Sequence, residues 1–179
     1  MTDDDAVPAL RTHDLSSVPP EEIRFGVVMN GGVSLAVWMG GVALELDHLV
    51  KAHAAGTGPY ATLLALTGCT ARVDVISGTS AGGVNGAALA LAQANGLADL
   101  ASLRDVWVEQ GRIETLLRQP FRGSPSSLLK GDDHFLPQLN AALTALAVPS
   151  APTRAQEAPI DLTVMTTVLR GNQEVTVDA

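Results

Sequence analysis

The sequence predicts a layered α/β domain whose central sheet is mainly parallel. Short apolar runs rich in β-branched residues alternate along the chain with segments of helical periodicity, an order typical of parallel strands joined by helices. Glycine-rich turns directly follow the first two strand-like runs, as expected where a strand ends and a helix begins. The length of 179 residues and the hydrophobic content of 46% are sufficient for one buried core.

The N-terminal segment, residues 1–22, is expected to form a disordered acidic tail before a partial domain over residues 23–179. The tail is rich in proline and acidic residues and has too little apolar material to offset the entropy of ordering it. Residues 23–29 then form an apolar, β-branched run that predicts a buried strand. This run ends at Asn30-Gly31-Gly32, a sequence typical of a tight turn.

An amphipathic helix is predicted after this turn. Ser34 is a favourable N-cap, and the apolar residues after it recur at steps of three and four up to the glycine-containing stretch at 56–58. A second strand is predicted over residues 72–77. It leads directly into the turn at 78–82 and an alanine-rich helix that ends near Gly96.

The second half of the chain predicts further helices before the strand pattern returns. Helices are expected over 99–110, 113–117 and 132–146, and a strand over 160–169. Loops are expected over 121–131 and around Pro149, Pro152 and Pro159. Gly171-Asn172 predicts a hairpin into a final strand at 174–177, which would add an antiparallel member to the sheet.

The strongest chemical signal is the pentapeptide Gly78-Thr79-Ser80-Ala81-Gly82, which fits the G-x-S-x-G pattern between a predicted strand and a predicted helix. A sharp turn here exposes the hydroxyl of Ser80 at a helix N-terminus, which makes Ser80 a candidate nucleophile. The glycines could instead only let a helix pack closely on the sheet. Three glycines in the first two helical turns each cost about 1 kcal/mol relative to alanine, so some feature requires close backbone approach there.

The second signal is the turn Asn30-Gly31-Gly32-Val33-Ser34 after the first strand. Backbone N–H groups at Gly31, Gly32 and Val33 could stabilise an oxyanion formed on a substrate carbonyl. The ends of parallel strands lie at one edge of a sheet, so this turn and Ser80 can meet there. A plain tight turn and a phosphate-binding turn are the alternatives, although the G-x-G-x-x-G spacing is absent and no G-K-[ST] follows.

Together the two motifs resemble the patatin-like phospholipase family, in which a glycine-rich oxyanion loop precedes a G-x-S-x-G nucleophile turn. The resemblance covers residues 23–95 and extends less specifically to 103–117 and 161–169. It implies a three-layer sandwich with a mainly parallel sheet and helices on both faces, incomplete at the C-terminus of this chain. It also implies that Ser80 belongs to a Ser-Asp dyad that cleaves lipid carboxylic esters.

This chain departs from the family pattern in two places. The family loop usually reads D-G-G-G-x-R/K-G, whereas residues 30–36 here contain no basic side chain. The dyad aspartate of the family lies in D-G-G or D-G-A, and no Asp in this sequence is followed by Gly. Asp161 would begin a strand, away from the edge that carries Ser80. The dyad aspartate is therefore expected beyond residue 179, which makes the chain an N-terminal fragment of a longer protein.

Other candidate site residues have simpler interpretations. A Ser-His-Asp triad would need a later histidine, and only His134 follows Ser80, where a solvated position at a helix start is expected. Asp132 and Asp133 are interpreted as helix capping, and no metal is expected. Trp38 and Trp107 are expected to be packing residues on helices rather than stacking platforms for bases.

Composition narrows the class of partner. With 11 Lys and Arg against 19 Asp and Glu, the net charge is −8, which disfavours nucleic acid. The lone Cys69 leaves no disulfide framework, the N-terminus is acidic, and no apolar run approaches ~20 residues, so a cytoplasmic location is expected. No cofactor is expected. The partners expected are a lipid ester substrate and transient contact with a membrane surface; the alternative is a catalytically inactive lipid- or protein-binding module.

Overall fold

The fold was analysed in a computed structural model, which describes residues 19–96, 98–119, 127–147 and 159–167. Its sheet contains strands β1 (Glu21–Met29), β2 (Cys69–Thr79) and β3 (Asp161–Met165) in the order β1-β2-β3. Both neighbouring pairs are parallel. The prediction of an α/β fold with a parallel sheet is therefore confirmed.

The strand register brings three strand ends to one edge. Met29 pairs with Gly78, and Thr79 pairs with Met165. A bulge between Phe25 and Gly26 shifts the register, because Gly26 pairs with Val75 and leaves one residue of β2 unpaired. The segments that follow β1, β2 and β3 thus start side by side, as parallel topology requires.

Six α-helices and two π-helical turns complete the described part of the chain. The α-helices are α1 (Ala36–Ala55), α2 (Pro59–Thr67), α3 (Ala81–Ala94), α4 (Ala101–Asp105), α5 (Ile113–Leu116) and α6 (Leu136–Ala147). The π-helical turns span Val106–Gln110 and Gly131–Phe135 and directly adjoin α4 and α6. Each of these wider turns is closed by a hydrogen bond between residues five apart. Gly111 N–H donates to the Val106 carbonyl, and Phe135 N–H donates to the Lys130 carbonyl.

One face of the sheet is covered by helices. Ile76 and Val73 are 0% and 2% exposed and pack with α1 and α3. On the opposite face, Val28 and Val75 are 76% and 47% exposed. The described residues therefore form one helical layer on the sheet, and the second layer implied by the resemblance is not among them.

A buried polar cluster ties the far ends of α1 and α3 together. Asp47 is 2% exposed. Its carboxylate accepts a hydrogen bond of 2.7 Å from Lys51 Nζ and another of 2.6 Å from Gln93 Nε2. Lys51 also donates to the Ala98 carbonyl at 2.6 Å. Burial raises the pKa of Asp47 above its ordinary value, although both hydrogen-bond donors oppose the shift.

Several element boundaries differ from the sequence predictions. The first strand begins at Glu21, two residues before its predicted start at residue 23. Ser34 is not the N-cap of α1, because that helix begins at Ala36 after Leu35 without a side-chain cap. Helix α2 was not predicted, because the stretch at 56–58 indicated only the end of the preceding helix. Pro59 occupies the first turn of α2, where no N–H is needed.

Two further expectations concern the aromatic residues and the C-terminus. The packing role expected for Trp38 is wrong, since this residue is 68% exposed on the first turn of α1. Trp107 does pack, with its ring 5.4 Å from that of Phe135. The predicted strand at 160–169 is observed over Asp161–Met165, while the predicted hairpin at 171–177 lies outside the described residues.

Candidate active site

Ser80 occupies a strained turn between β2 and α3. Its φ and ψ angles are 54° and −122°, and no other non-glycine residue in the described ranges has a positive φ. Such a conformation costs on the order of 1–3 kcal/mol and persists only where the surrounding structure enforces it. The side chain is exposed, so the turn presents the Ser80 hydroxyl to the surface at the strand-end edge.

Glycines enforce this turn by allowing backbone segments to touch. A Cβ atom on Gly78 would lie 2.5 Å from the Gly82 carbonyl oxygen, so β2 and the first turn of α3 are in direct backbone contact. A Cβ atom on Gly82 would lie 2.6 Å from the Met29 carbonyl carbon at the end of β1. On Gly83 it would lie 2.7 Å from Val164 Cγ1 of β3. The helix therefore begins directly over all three strand ends.

The glycine-rich turn after β1 lies against the serine. A Cβ atom on Gly31 would be 3.0 Å from Ser80 Cβ and 3.0 Å from the Thr79 carbonyl oxygen. Gly32 has a φ of 142°, a backbone conformation that residues other than glycine rarely adopt. Val33 is 88% exposed. The structure therefore brings Gly31 and Ser80 together, with Gly32 next in the turn and Val33 at its exposed rim.

Backbone donors are available on both sides of Ser80. No residue in the described ranges accepts a hydrogen bond from the N–H groups of Gly31, Gly32 or Val33. The first N–H groups of α3, beginning at Ala81, have no partner within the helix by its geometry. The helix dipole adds a partial positive charge at the same place. Backbone N–H groups without a partner among the described residues therefore lie on both segments that adjoin Ser80.

An apolar groove of 440 Å³ opens beside Ser80. Its walls come from the ends of β2 and β3, the first turns of α3, and Leu143 of α6. The lining residues are Thr79, Ser80, Gly83, Val84, Ala87, Leu143, Val164, Met165, Thr166 and Thr167. Sequence reasoning missed Leu143 and Val164, whose only signal is their apolar character in amphipathic elements.

No carboxylate or imidazole lines this groove in the part of the chain that the structure describes. Asp161 begins β3, four residues before Met165, which places it about 13 Å from the strand-end edge. The interpretation of Asp161 as remote from Ser80 is therefore confirmed.

His134 also lies away from the groove. It is nine residues from the groove residue Leu143 along one continuous helical segment, a separation of about 13 Å. The expectation that it is solvated is wrong. Its side chain is half-buried, and Nε2 is shielded from solvent without a hydrogen-bond partner among the described residues.

Asn85 is a further residue at this site that sequence reasoning missed. It is 0% exposed on α3, five residues after Ser80, and donates to the Ala36 carbonyl at 3.0 Å. Its signal in the sequence was a single amide side chain within a run of Gly, Ala, Val and Leu. Within the described ranges, no group of three or more His, Cys, Asp or Glu side chains is arranged to hold a metal ion.

Comparison with known proteins shows similarity to a protein that is named as uncharacterised. No protein-family model and no solved structure match the chain. The chain is 38% identical over 175 aligned residues to the "Uncharacterized membrane protein Rv3479" of Mycobacterium tuberculosis. The alignment covers 84% of this chain and 16% of that protein, so the chain spans less than one fifth of the length of this relative.

The name of this relative bears on location. The prediction of a cytoplasmic protein is contradicted, because the relative is named a membrane protein. Among the residues that the structure describes, no helix has both the length and the apolar character needed to cross a bilayer.

Proposed function

We propose that this chain carries the nucleophile of a serine acyl hydrolase similar to the patatin-like phospholipases, acting on carboxylic esters of lipids. The observation that carries the proposal is the contact of Gly31 with Ser80, whose φ of 54° marks an enforced turn. A strained conformation costs free energy and persists only where the surrounding packing enforces it. Such conformations cluster at functional sites. A serine that served only packing would have no need of this conformation.

The chemistry follows from the groups around the serine. The Ser80 hydroxyl attacks the ester carbonyl and transfers its proton to a base, for which an aspartate is expected by the resemblance. The carbonyl oxygen becomes an oxyanion that accepts hydrogen bonds from backbone N–H groups of the Gly31–Val33 turn and of Ala81. As the intermediate collapses, the base returns this proton to the departing oxygen, which leaves as the alcohol. Water then gives a proton to the base and attacks the acyl-enzyme, and the proton passes to the Ser80 oxygen as the carboxylic acid is released.

The proposed lipid substrate is supported by the groove. Side chains of Val84, Ala87, Leu143 and Val164 give it an apolar wall next to the serine. An acyl chain that enters it would exchange water for hydrocarbon, at about 25 cal/mol for each Å² of apolar surface removed from water. A polar acyl group would gain nothing comparable, so the groove favours fatty acyl esters.

Transient contact with a membrane surface belongs to the same proposal. Val33 and Trp38, which are 88% and 68% exposed, lie in or just after the turn that contacts Ser80. Leu35 and Val37 between them are 46% and 45% exposed. Exposed apolar side chains beside a site for lipid esters suit insertion among lipid headgroups, and an indole ring is well placed there.

A fluorophosphonate probe tests the proposed nucleophile directly. The protein at its full natural length would be treated with the probe and the adduct located by peptide mass mapping. The expected result is a single adduct on Ser80, lost in Ser80→Ala and retained in Ser34→Ala, which removes an exposed serine from the neighbouring turn. A folded full-length protein without an adduct would contradict the hydrolase and favour a lipid- or protein-binding module.

A further inference from the structure

Asn85 links the two segments that form the candidate site. Its Nδ2 donates to the carbonyl of Ala36, the first residue of α1, at 3.0 Å. Ala36 lies five residues after Gly31, and Asn85 lies five residues after Ser80. One hydrogen bond therefore joins the helix that follows the oxyanion turn to the helix that follows the nucleophile.

The orientation of the Asn85 amide is fixed by a third element. Trp107, in the π-helical turn after α4, donates from Nε1 to Asn85 Oδ1 at 2.8 Å. An indole nitrogen can only donate, so the amide oxygen must face Trp107 and the amide nitrogen must face Ala36. The bond to Ala36 is thus set by chemistry and not by an arbitrary choice of amide orientation.

Close packing leaves this arrangement little freedom. Asn85 is 0% exposed, and a Cβ atom on Gly40 would lie 3.3 Å from Asn85 Oδ1 and 3.2 Å from Trp107 Cδ1. The glycine therefore lets both side chains reach the surface of α1 one turn after Ala36. A buried amide with both ends bonded resists displacement, because an unsatisfied end would carry the full cost of its desolvation.

We propose that Asn85 is a positioning residue, which holds the first turn of α1 and the Gly31–Val33 turn at a fixed distance from Ser80. This role rests on the proposed acyl transfer chemistry. Oxyanion donors act only when they are preorganised around the developing charge, and a displacement of about 1 Å can cost about a hundredfold in rate. Asn85 itself touches no reacting atom.

Gln93 provides a matched control on the same helix. It is also a buried amide of α3 that bonds to α1, but its partner is Asp47, eleven residues after Ala36 in the second half of that helix. Asn85→Leu and Gln93→Leu each replace a buried amide with an apolar side chain of similar size. A role limited to stability would make the two variants equivalent, whereas a positioning role would separate them.

The first readout is ester hydrolysis and Ser80 labelling by the full-length protein. Asn85→Leu is expected to lower kcat about tenfold to a hundredfold with little change in KM, because the oxyanion donors act in the transition state. Gln93→Leu is expected to retain the wild-type kcat even if its melting temperature falls further. Equal kcat in Asn85→Leu and wild type would overturn the proposal.

The second readout is hydrogen exchange, which does not depend on activity. Met39 N–H donates to the Leu35 carbonyl at 2.8 Å in the first turn of α1. Its exchange is expected to accelerate in Asn85→Leu and not in Gln93→Leu. If wild-type Ser80 takes no label, the hydrolase proposal fails, and unchanged Met39 exchange would separately overturn the positioning role of Asn85.

A milder variant covers the case in which Asn85→Leu does not fold. Trp107→Phe keeps a ring beside Phe135 but removes the N–H that orients the Asn85 amide. A severalfold loss of kcat with accelerated Met39 exchange is expected. Wild-type kcat and wild-type exchange in a folded Trp107→Phe variant would contradict the proposal.

Discussion

Gly31 packs against Ser80 across the strand-end edge, because a Cβ atom on Gly31 would lie 3.0 Å from Ser80 Cβ and 3.0 Å from the Thr79 carbonyl oxygen. This separation is shorter than side chains normally accept, so a methyl group would push the turn away from the serine by a few tenths of an ångström. The contact connects the end of β1 to the end of β2 at the point where an oxyanion would form. A side chain at Gly31 is therefore expected to displace the turn beside Ser80 and to leave the packing of the core largely unchanged.

Gly31→Ala is expected to lower the rate of Ser80 labelling by about tenfold to a hundredfold, as displacement of oxyanion donors would. Its effect on the free energy of unfolding should stay within about 1 kcal/mol, because only the turn must shift. Labelling kinetics and urea unfolding of the same preparation measure the two effects. Gly26→Ala, which places a methyl in open space on β1, is the control and should leave labelling unchanged.

Two glycines of the helical layer are expected to respond to alanine in opposite directions. Gly82→Ala places a methyl against the carbonyl of Met29, and no rotamer relieves a clash with backbone, so a loss of about 3 kcal/mol or more is expected. Gly41→Ala meets nothing within 4 Å on α1 and should stabilise the protein by up to about 1 kcal/mol. Thermal unfolding measures both changes. A neutral Gly82→Ala would mean that α3 does not cross β1 as described.

The parts of this site that the sequence predicted are those set by local chemistry. Gly78 and Gly82 flank Ser80 in a pattern typical of a strand-turn-helix junction, and parallel topology then places the Gly31 turn at the same edge of the sheet. Asn85 and Leu143 depend on which helix faces meet, and that is decided by packing over long sequence separations. Trp38 was predicted to be a packing residue on its helix, but the sequence does not show which side of the first turn of α1 is covered, and the indole is 68% exposed there.

The buried Asp47 predicts a specific dependence of stability on pH. Its pKa in the folded state is raised by burial, so the folded protein binds a proton more tightly than the unfolded chain, whose value is about 3.9. The stabilising contribution of Asp47 to the free energy of unfolding is therefore fully present below about pH 3.9. It decreases as the pH rises through the raised pKa, and above that pKa it no longer changes with pH. Asp47→Asn cannot titrate and still accepts from Gln93.

The difference in unfolding free energy between wild type and Asp47→Asn isolates this contribution, since all other carboxylates titrate in both proteins. As the pH rises through that window, the free energy of unfolding of the wild type is expected to fall relative to that of Asp47→Asn, and above the window the difference should be constant. Urea titrations at a series of pH values, followed by tryptophan fluorescence, provide the measurement. A difference that is independent of pH would show that Asp47 has the same pKa in both states.

The proposed membrane contact makes a prediction at Trp38. Its side chain is 68% exposed on the turn of α1 next to the site, and the net charge of −8 favours zwitterionic over anionic surfaces. Phosphatidylcholine vesicles are expected to shift the tryptophan emission of the wild type to shorter wavelength and to cosediment with it. Trp38→Ala should lose the shift and bind vesicles about tenfold more weakly, which matches burial of one indole ring.

The control for this experiment is Leu66→Ala, which removes an apolar side chain of 79% exposure from α2, away from the residues that line the groove. It should bind vesicles as the wild type does, because exposure alone does not create a lipid contact. Equal loss in Trp38→Ala and Leu66→Ala would indicate nonspecific adsorption and contradict a contact centred on the site. Retained binding in Trp38→Ala would place the lipid contact elsewhere and separate membrane binding from the turn that holds Gly31 against Ser80.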